Sequence, residues 1–283
     1  MRKIKVLHLE PTDVCQAACP ACARETDSKF RKDQKHHLTI GHVQRHFSDR
    51  RIKSLDKVFM CGNYGDPAAG AYTGDMYKWF RQLNPTITLG MNTNGAIQNT
   101  FWWHEIGRLF NQPRDYVVFS IDGLEDTNGV YRKGVNWTKL MQNAQAFIEA
   151  GGSAHWDMLI YQHNEHQVDE CEQLARNMGF KWFRAKVSKR PLIGKLEWPR
   201  NYQAQTFEGT IKCHAQQEKS AYIDARGNLS PCCWIGGTQT DFVRTDSVVD
   251  FYPKKHTTCV ATCSTDQTKT AFSNQWRKEI ELC

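Results

Sequence analysis

Between residues 4 and 185 the apolar positions fall into two alternating rhythms. Short runs rich in β-branched, aromatic and other large apolar residues alternate with longer stretches in which apolar residues recur every three or four positions. The short runs predict six strands, Ile4–Leu9, Lys57–Met60, Thr86–Met91, Tyr116–Ile121, Ala154–Tyr161 and Lys181–Ala185. The clearest helical stretch runs from about Trp137 to Ala150, where Leu140, Ala144, Phe147 and Ile148 share a face and Gly151-Gly152 stops the helix. A second covers Glu165–Met178, with Val168, Cys171, Leu174, Ala175 and Met178 on one stripe, which makes Cys171 a core thiol. Strand and helix in repeated alternation build a parallel sheet with helices packed on it, so the fold class is α/β.

After Lys189-Arg190-Pro191 this rhythm fails, and Gly, Pro, Trp and polar residues dominate. The chain therefore divides into a domain over residues 1–190, a linker at about 191–210 and a smaller cysteine-rich unit over 211–283. The smaller unit contains a hairpin signal, Ala221-Tyr222-Ile223-Asp224 then Ala225-Arg226-Gly227-Asn228 then Leu229, and an expected terminal helix from about Asp266. Its apolar residues are too few for an ordinary independent core, a situation in which a bound metal commonly holds a small unit together.

The 283 residues, 40% apolar and 24% charged, belong to a folded protein rather than a disordered or fibrous one. The net charge of +7 is modest and the densest basic patch, Lys29–His37, is short, so charge alone is weak evidence for nucleic acid. No apolar run approaches the ~20 residues of a membrane span. The basic start Met1-Arg2-Lys3 meets Glu10 and Asp13 at once, unlike a secretory signal, so the expected location is cytoplasmic and no membrane partner is expected. In that compartment the eleven cysteines stay reduced and read as metal ligands, nucleophiles or core residues rather than as a disulfide framework.

Cys15, Cys19 and Cys22 lie in the segment from Glu10 to Cys22, directly after the first predicted strand. The carboxyl end of a parallel strand is the functional end in barrels and open sheets alike. Cys-x3-Cys-x2-Cys spacing lets one tight loop wrap one centre, yet three thiolates are one fewer than a closed zinc or iron–sulfur site takes. In a zinc site His36 or His37 would complete the set. In a 4Fe–4S cluster the remaining iron stays open to a substrate or cosubstrate.

This motif resembles that of the radical S-adenosylmethionine superfamily, in which three such cysteines follow the first strand of a partial (βα)6 barrel. The resemblance implies that Cys15, Cys19 and Cys22 hold a 4Fe–4S cluster whose open iron chelates the amino and carboxylate groups of S-adenosylmethionine. One electron, from a reductase or from flavodoxin or ferredoxin, then cleaves this cosubstrate to methionine and a 5′-deoxyadenosyl radical. Tyr64-Gly65-Asp66-Pro67 is similar to the family's Gly-Gly-Glu-Pro loop, which assigns cofactor contacts to Gly62, Asn63, Tyr64, Gly65 and Asp66, with Asp66 supplying negative charge. Asn94 in Asn92-Thr93-Asn94-Gly95, and Ser120 and Asp122 in Ser120-Ile121-Asp122-Gly123, resemble further cofactor-facing segments, the last two as partners of ribose hydroxyls. Taken singly, each segment is also ordinary turn chemistry. One departure is Ala21, where the family commonly has an aromatic residue near adenine. The stretch from Ser120 through Tyr131-Arg132-Lys133-Gly134 to Asn164-Glu165 also looks like the peptide-maturase branch.

Cys213, then Gly227, Cys232 and the pair Cys259-x3-Cys263 form a second set, and four thiols are enough to close a centre. They resemble the SPASM and shorter twitch extensions of the same superfamily, implying an auxiliary 4Fe–4S cluster, while a zinc ribbon would use the same four ligands. The full SPASM pattern includes a Cys-x2-Cys that is missing here, so a twitch-like module is expected. Cys233 and Cys283 stand as alternatives to members of this set.

The expected activity is hydrogen-atom abstraction from an unreactive C–H bond, first for oxidative modification of a peptide. Dehydrogenation of a small alcohol and modification of a nucleotide or RNA are the alternatives. Cys61, beside the cofactor loop, is the candidate for a catalytic thiol, with a buried strand-end thiol as the plainer reading. Glu10, Asp13, His163 and Glu165 lie near strand ends as candidate acids and bases, with no spacing that selects one. Outside catalysis stands a zinc or iron–sulfur protein that binds nucleic acid through Lys29–His37.

Overall fold

A computed structural model of the chain describes residues 4–28, 30–188, 192–200, 211–235, 243–245, 248–250, 257–263 and 278–282. Strands β1 (Val6–Leu9), β2 (Lys57–Met60), β3 (Thr88–Thr93), β4 (Tyr116–Ser120), β5 (Ala154–Ile160) and β6 (Trp182–Val187) pair in parallel and in sequence order. All six predicted strands are present, with some ends shifted. β3 starts later than expected because the Asn84 side chain accepts from the Thr86 N–H (3.3 Å) and donates to the Leu55 carbonyl (2.9 Å), turning the chain just before the strand.

β7 (Ser220–Ile223) runs parallel along the other side of β1, and β8 (Leu229–Ser230) folds back antiparallel onto β7, as the hairpin signal predicts. β9 (Val243–Thr245) and β10 (Val248–Asp250) form a separate antiparallel ribbon. β11 (Lys278–Glu281) lies antiparallel against β6. The described residues thus form a nine-stranded sheet, ordered β11-β6-β5-β4-β3-β2-β1-β7-β8, and the C-terminal segment supplies strands to both of its edges. Residue 191 and residues 201–210 of the expected linker, the start of the expected terminal helix, Cys283, and Lys29 of the basic patch lie outside the described residues, and where that helix was expected to continue the chain forms strand β11 instead, drawn into the sheet by its ladder with β6.

Helices Thr73–Leu83, Thr100–Leu109, Trp137–Glu149 and Val168–Met178 cover one face of the sheet. Asn99 and Asn136 cap two of them by accepting from the N–H groups of Trp102 (2.9 Å) and Lys139 (2.8 Å). The second predicted helix begins as a 3-10 turn over Glu165–Gln167 and ends at Gly179, whose φ of +87° an L side chain would resist. Leu7, Leu9, Val58, Met60, Leu89, Met91, Val117, Phe119, Trp156, Met158 and Phe183 point to the helices and form one core with Phe80, Trp103, Phe147 and Cys171, so Cys171 is the core thiol expected.

Strand side chains alternate, so the opposite face carries His8, Phe59, Asn92, Ser120, His155, Asp157 and Arg184. A parallel sheet covered by helices on both faces is apolar on both. Here the second face is polar, as in the lumen of a partial barrel with functional groups at the strands' carboxyl ends. Gly90 makes room there, since a Cβ would come within 2.6 Å of the Tyr116 ring. Among the described residues no helix is long and apolar enough to cross a membrane.

The core account predicts that Phe147→Ala, which empties a fully buried site between Trp103, Phe110 and Phe119, costs about 3–5 kcal/mol in urea unfolding. A loss under about 1 kcal/mol would show that this layer is not packed as described.

Candidate active site

The loops that follow β1, β2, β3 and β4 meet at the carboxyl end of the sheet. After β2 the chain turns so tightly that a Cβ on Gly62 would lie 2.0 Å from the Gly65 carbonyl oxygen. A Cβ on Gly65 would lie 2.0 Å from the Thr12 carbonyl oxygen, so only glycine lets this loop approach the cysteine loop. The Asp66 N–H donates to the Val14 carbonyl (2.9 Å) and secures the contact.

Asp66 is buried, and burial raises its pKa. Its Oδ1 accepts from Thr93 Oγ1 (2.8 Å) and the Ala68 N–H (2.9 Å), and its Oδ2 from the N–H and Nδ2 of Asn94 (both 2.7 Å). The carboxylate is therefore taken up in tying the β2 loop to the end of β3. Asn94 in turn reaches the cysteine loop. Its Oδ1 accepts from Gln16 Nε2 (2.7 Å), and its Nδ2 lies 3.3 Å from Gln16 Oε1 and 3.6 Å from Cys15 Sγ.

Cys15, Cys19 and Cys22 are all free thiols, Cys19 buried and the other two half-buried. They are close enough to act on one another: burial, the Asp66 charge and the two neighbouring thiols push Cys15 up to about 12. Burial also raises Cys19, opposed by the Arg132 guanidinium, which hydrogen-bonds to it. Arg132 is held by Asp122, whose Oδ2 accepts from Arg132 Nε (2.6 Å) while Oδ1 accepts from the Leu159 N–H (2.6 Å). Both oxygens of Asp122 are engaged and the residue is fully buried, whereas Ser120 is half-buried on the polar face, in register with Asp157. Burial pushes Asp157 up to about 7, and Arg184 Nε donates to its Oδ1 at 2.9 Å.

Glu10 is a further buried carboxyl at this end. Its Oε1 accepts from the N–H groups of Tyr64 (2.6 Å) and Gly65 (3.2 Å), and its Oε2 accepts from the Tyr222 hydroxyl on β7. The Asn63 side chain donates to the Cys233 carbonyl (2.8 Å), and the Asn63 carbonyl lies 3.8 Å from Cys22 Sγ. The β2 loop is thus held between the first thiol group and the C-terminal segment.

Cys213, Cys232, Cys259 and Cys263 line one open cavity, which His8, Phe59 and Tyr222 also border. Burial and the neighbouring thiols push Cys232 and Cys259 up to about 11, and Cys232 accepts backbone hydrogen bonds from Trp234 and Ile235. Cys233 also borders the cavity, but its other neighbours are Cys61 and Glu10. Cys232 and Cys263 are the thiols that act on Cys259 most strongly. Among the described residues, no three His, Cys, Asp or Glu side chains converge tightly enough to hold a single metal ion.

The remaining candidates separate. His36 Nδ1 pairs with Asp13 Oδ2 (2.6 Å), and His37 Nδ1 accepts from the Ala71 N–H (3.3 Å), so the Nδ1 atom of each ring faces a partner other than the cysteines. Cys61 is half-buried rather than buried, and its carbonyl accepts from His8 Nε2 (2.8 Å). Glu165 accepts from the Arg200 N–H (2.8 Å). His163 stacks on Tyr161 at 5.6 Å, with Nε2 buried and unpartnered among the described residues.

Sequence reasoning missed Gln16, Arg132 and Tyr222 as parts of the site. Arg132 carried a signal in Tyr131-Arg132-Lys133-Gly134, but Tyr222 carried none, because it meets Glu10 across 212 positions. Tyr131, Tyr161 and Leu196 pack with Ala17, Cys19 and Ala21 in one apolar cluster beside the cysteine loop.

No family model matches the sequence, and none of the curated proteins does. Solved structures share the fold. Streptococcus suis SuiB bound to S-adenosylmethionine is similar over 85% of this chain and 63% of its own, at 14% identity and a TM-score of 0.61. SuiB has also been solved with its precursor peptide SuiA. Native anSMEcpe with bound AdoMet is similar over 66% of this chain and 52% of its own, at 16% identity and a TM-score of 0.52. Methylornithine synthase (PylB) is similar over 70% and 59%, at 8% identity and a TM-score of 0.51. The chain thus spans less than two thirds of the length of these proteins.

Burial pushes the Glu10 carboxyl up to about 7, against the lowering effect of its hydrogen bonds to Tyr222, Tyr64 and Gly65. A carboxyl that holds its proton longer in the folded chain than in the unfolded one (about 4.3) makes its full contribution below the unfolded pKa and loses it as pH rises through the folded pKa. Glu10→Gln keeps an acceptor oxygen and removes the titration. The unfolding free energy of the wild type relative to Glu10→Gln should therefore fall between about pH 5 and 7.5 and then level off. A difference that is flat across this range would contradict the assignment.

Proposed function

We propose that this chain is a radical S-adenosylmethionine enzyme that acts on a peptide. In this reading Cys15, Cys19 and Cys22 hold a 4Fe–4S cluster, and Cys213, Cys232, Cys259 and Cys263 hold an auxiliary one. The observation that carries the reading is the junction of three loops at one end of a parallel sheet, where Asp66 binds Asn94 and Asn94 reaches Cys15. A shared fold with SuiB, anSMEcpe and PylB supports it, and the SuiB complex with a precursor peptide supports the substrate class.

The donor sets fit such clusters. The first offers three thiols from one loop, which leaves one iron of a cube open. The second offers four, with backbone N–H groups directed at Cys232, as sulfur ligands of clusters receive. Burial raises the pKa of Cys15 and Cys232, so these two thiols give up their protons when a metal supplies positive charge.

When bound, the first cluster and S-adenosylmethionine supply one-electron cleavage of a sulfonium and hydrogen-atom abstraction from an unreactive C–H bond. The chain's own residues position that chemistry. Glu10 holds the N–H groups of Tyr64 and Gly65 and so fixes the turn whose backbone would meet the ammonium group. Asp66 acts by fixing this turn to Asn94, and Asp122 by holding Arg132 at Cys19, so direct contact with ribose falls to Ser120. Tyr131, Tyr161 and Leu196 furnish the apolar wall that Ala21 does not provide for adenine. Ser120, Asp157 and Arg184 line the polar face below, where a substrate side chain would lie.

After anaerobic reconstitution with iron and sulfide, the reduced protein should convert S-adenosylmethionine to 5′-deoxyadenosine, and Cys15→Ala should not. In the same preparation Cys232→Ser should lose about half of the iron and Cys233→Ser should keep it. No 5′-deoxyadenosine from protein with intact clusters would overturn the function, and the reverse order of iron loss would overturn the ligand assignment.

A further inference from the structure

β7 is bracketed by the second thiol group. Cys213 precedes it across the short helix His214–Gln217, and the β7–β8 hairpin delivers Pro231-Cys232-Cys233 directly after it. In register beside β1, with Tyr222 opposite His8 and the Glu10 N–H donating to the Ile223 carbonyl (2.9 Å), β7 places the Tyr222 hydroxyl on Glu10. The other oxygen of Glu10 holds the N–H groups of Tyr64 and Gly65. A second tie crosses the same gap: Asn63 Nδ2 donates to the carbonyl of Cys233, the residue next to Cys232. The loop assigned above to the methionine ammonium group therefore has two connections to the segment that carries the second thiol group.

We propose that the two metal sites are coupled through this loop, with Glu10 and Tyr222 as positioning residues. Ordering Cys213 and Cys232 around their cluster holds Tyr222 on Glu10 and the Cys233 carbonyl on Asn63, and thereby sets the loop conformation that binds S-adenosylmethionine. The inference rests on the function proposed above and adds to it: filling the second site raises affinity for the cosubstrate at the first. Binding linkage is reciprocal, so the cosubstrate raises the affinity of the second site for its metal by the same factor. Both oxygens of Glu10 are already engaged and Tyr222 lies at the far edge of β1, so these residues act on the loop and not on the reacting atoms.

The test measures equilibrium binding of S-adenosylmethionine to the oxidised, fully reconstituted chain by calorimetry, without turnover, together with hydrogen exchange of the 61–66 backbone. Tyr222→Phe removes one hydroxyl and keeps the ring, so this arm does not depend on a cysteine variant folding. It should weaken binding about three- to tenfold and speed exchange of this segment, with the iron content unchanged. Emptying the second site by Cys213→Ser with Cys259→Ser should weaken binding in the same range, and adding Tyr222→Phe to that pair should weaken it no further, because the two changes act through one connection. Glu10→Gln, which retains an acceptor, should stay within about twofold of wild type, while Glu10→Ala falls with Tyr222→Phe. Unchanged affinity and exchange in Tyr222→Phe, with wild-type binding intact, would overturn the coupling and leave the function standing. Failure of the wild-type protein to bind S-adenosylmethionine at all would overturn both.

Discussion

One buried carboxylate organises the carboxyl end of this sheet. Asp66 sits where an isolated charge would be prohibitively costly, and it is tolerated because Thr93, Ala68 and both nitrogens of Asn94 donate to it. Removing any of these donors would leave part of that charge unpaired, so the loops after β2 and β3 are locked together. Through Asn94 the lock extends to Gln16 and Cys15. The glycines at 62 and 65 accompany the same constraint, since the β2 loop packs Gly62 against the Gly65 backbone and Gly65 against the backbone of Thr12. Positions read as cofactor contacts in the sequence are thus first of all the fastenings of the site.

The same economy of charge recurs at β4. Asp122 is fully buried and balanced by Arg132, and the guanidinium also meets the Cys19 thiol. A cation fixed beside a ligand sulfur favours its thiolate, and for a cluster it shifts the reduction potential. The Asp157–Arg184 pair continues the pattern down the polar face, which the helices do not cover. A sheet of this kind invests its apolar residues on one side and leaves the other for binding and chemistry.

The strands were legible because each is a short apolar run bounded by turn residues, and the helix Trp137–Glu149 because its apolar period is regular. Boundaries were less so: β3 is displaced by the side-chain hydrogen bonds of Asn84, which no period reveals. The two thiol groups were visible in the spacing, which placed Cys213, Cys232, Cys259 and Cys263 in one set, and these four border one cavity together with Cys233. The roles of Asp66 and Asp122 were not visible, because a carboxylate in a turn looks equally open whether or not four donors surround it. Least visible was the contact of Tyr222 with Glu10, which depends on β7 choosing the free edge of β1 after more than 200 residues. Long-range strand choice is a property of the assembled sheet, and local pattern contains no record of it.

The account depends most directly on Cys15, Cys19 and Cys22 binding a cube that is separate from the one at the later cysteines. Mössbauer spectroscopy with iron counting on anaerobically reconstituted protein tests this without requiring a substrate. The wild type should hold about eight irons in two cubanes, and the variant with all three early cysteines changed to alanine about four in one. An unchanged spectrum in that variant would contradict the account.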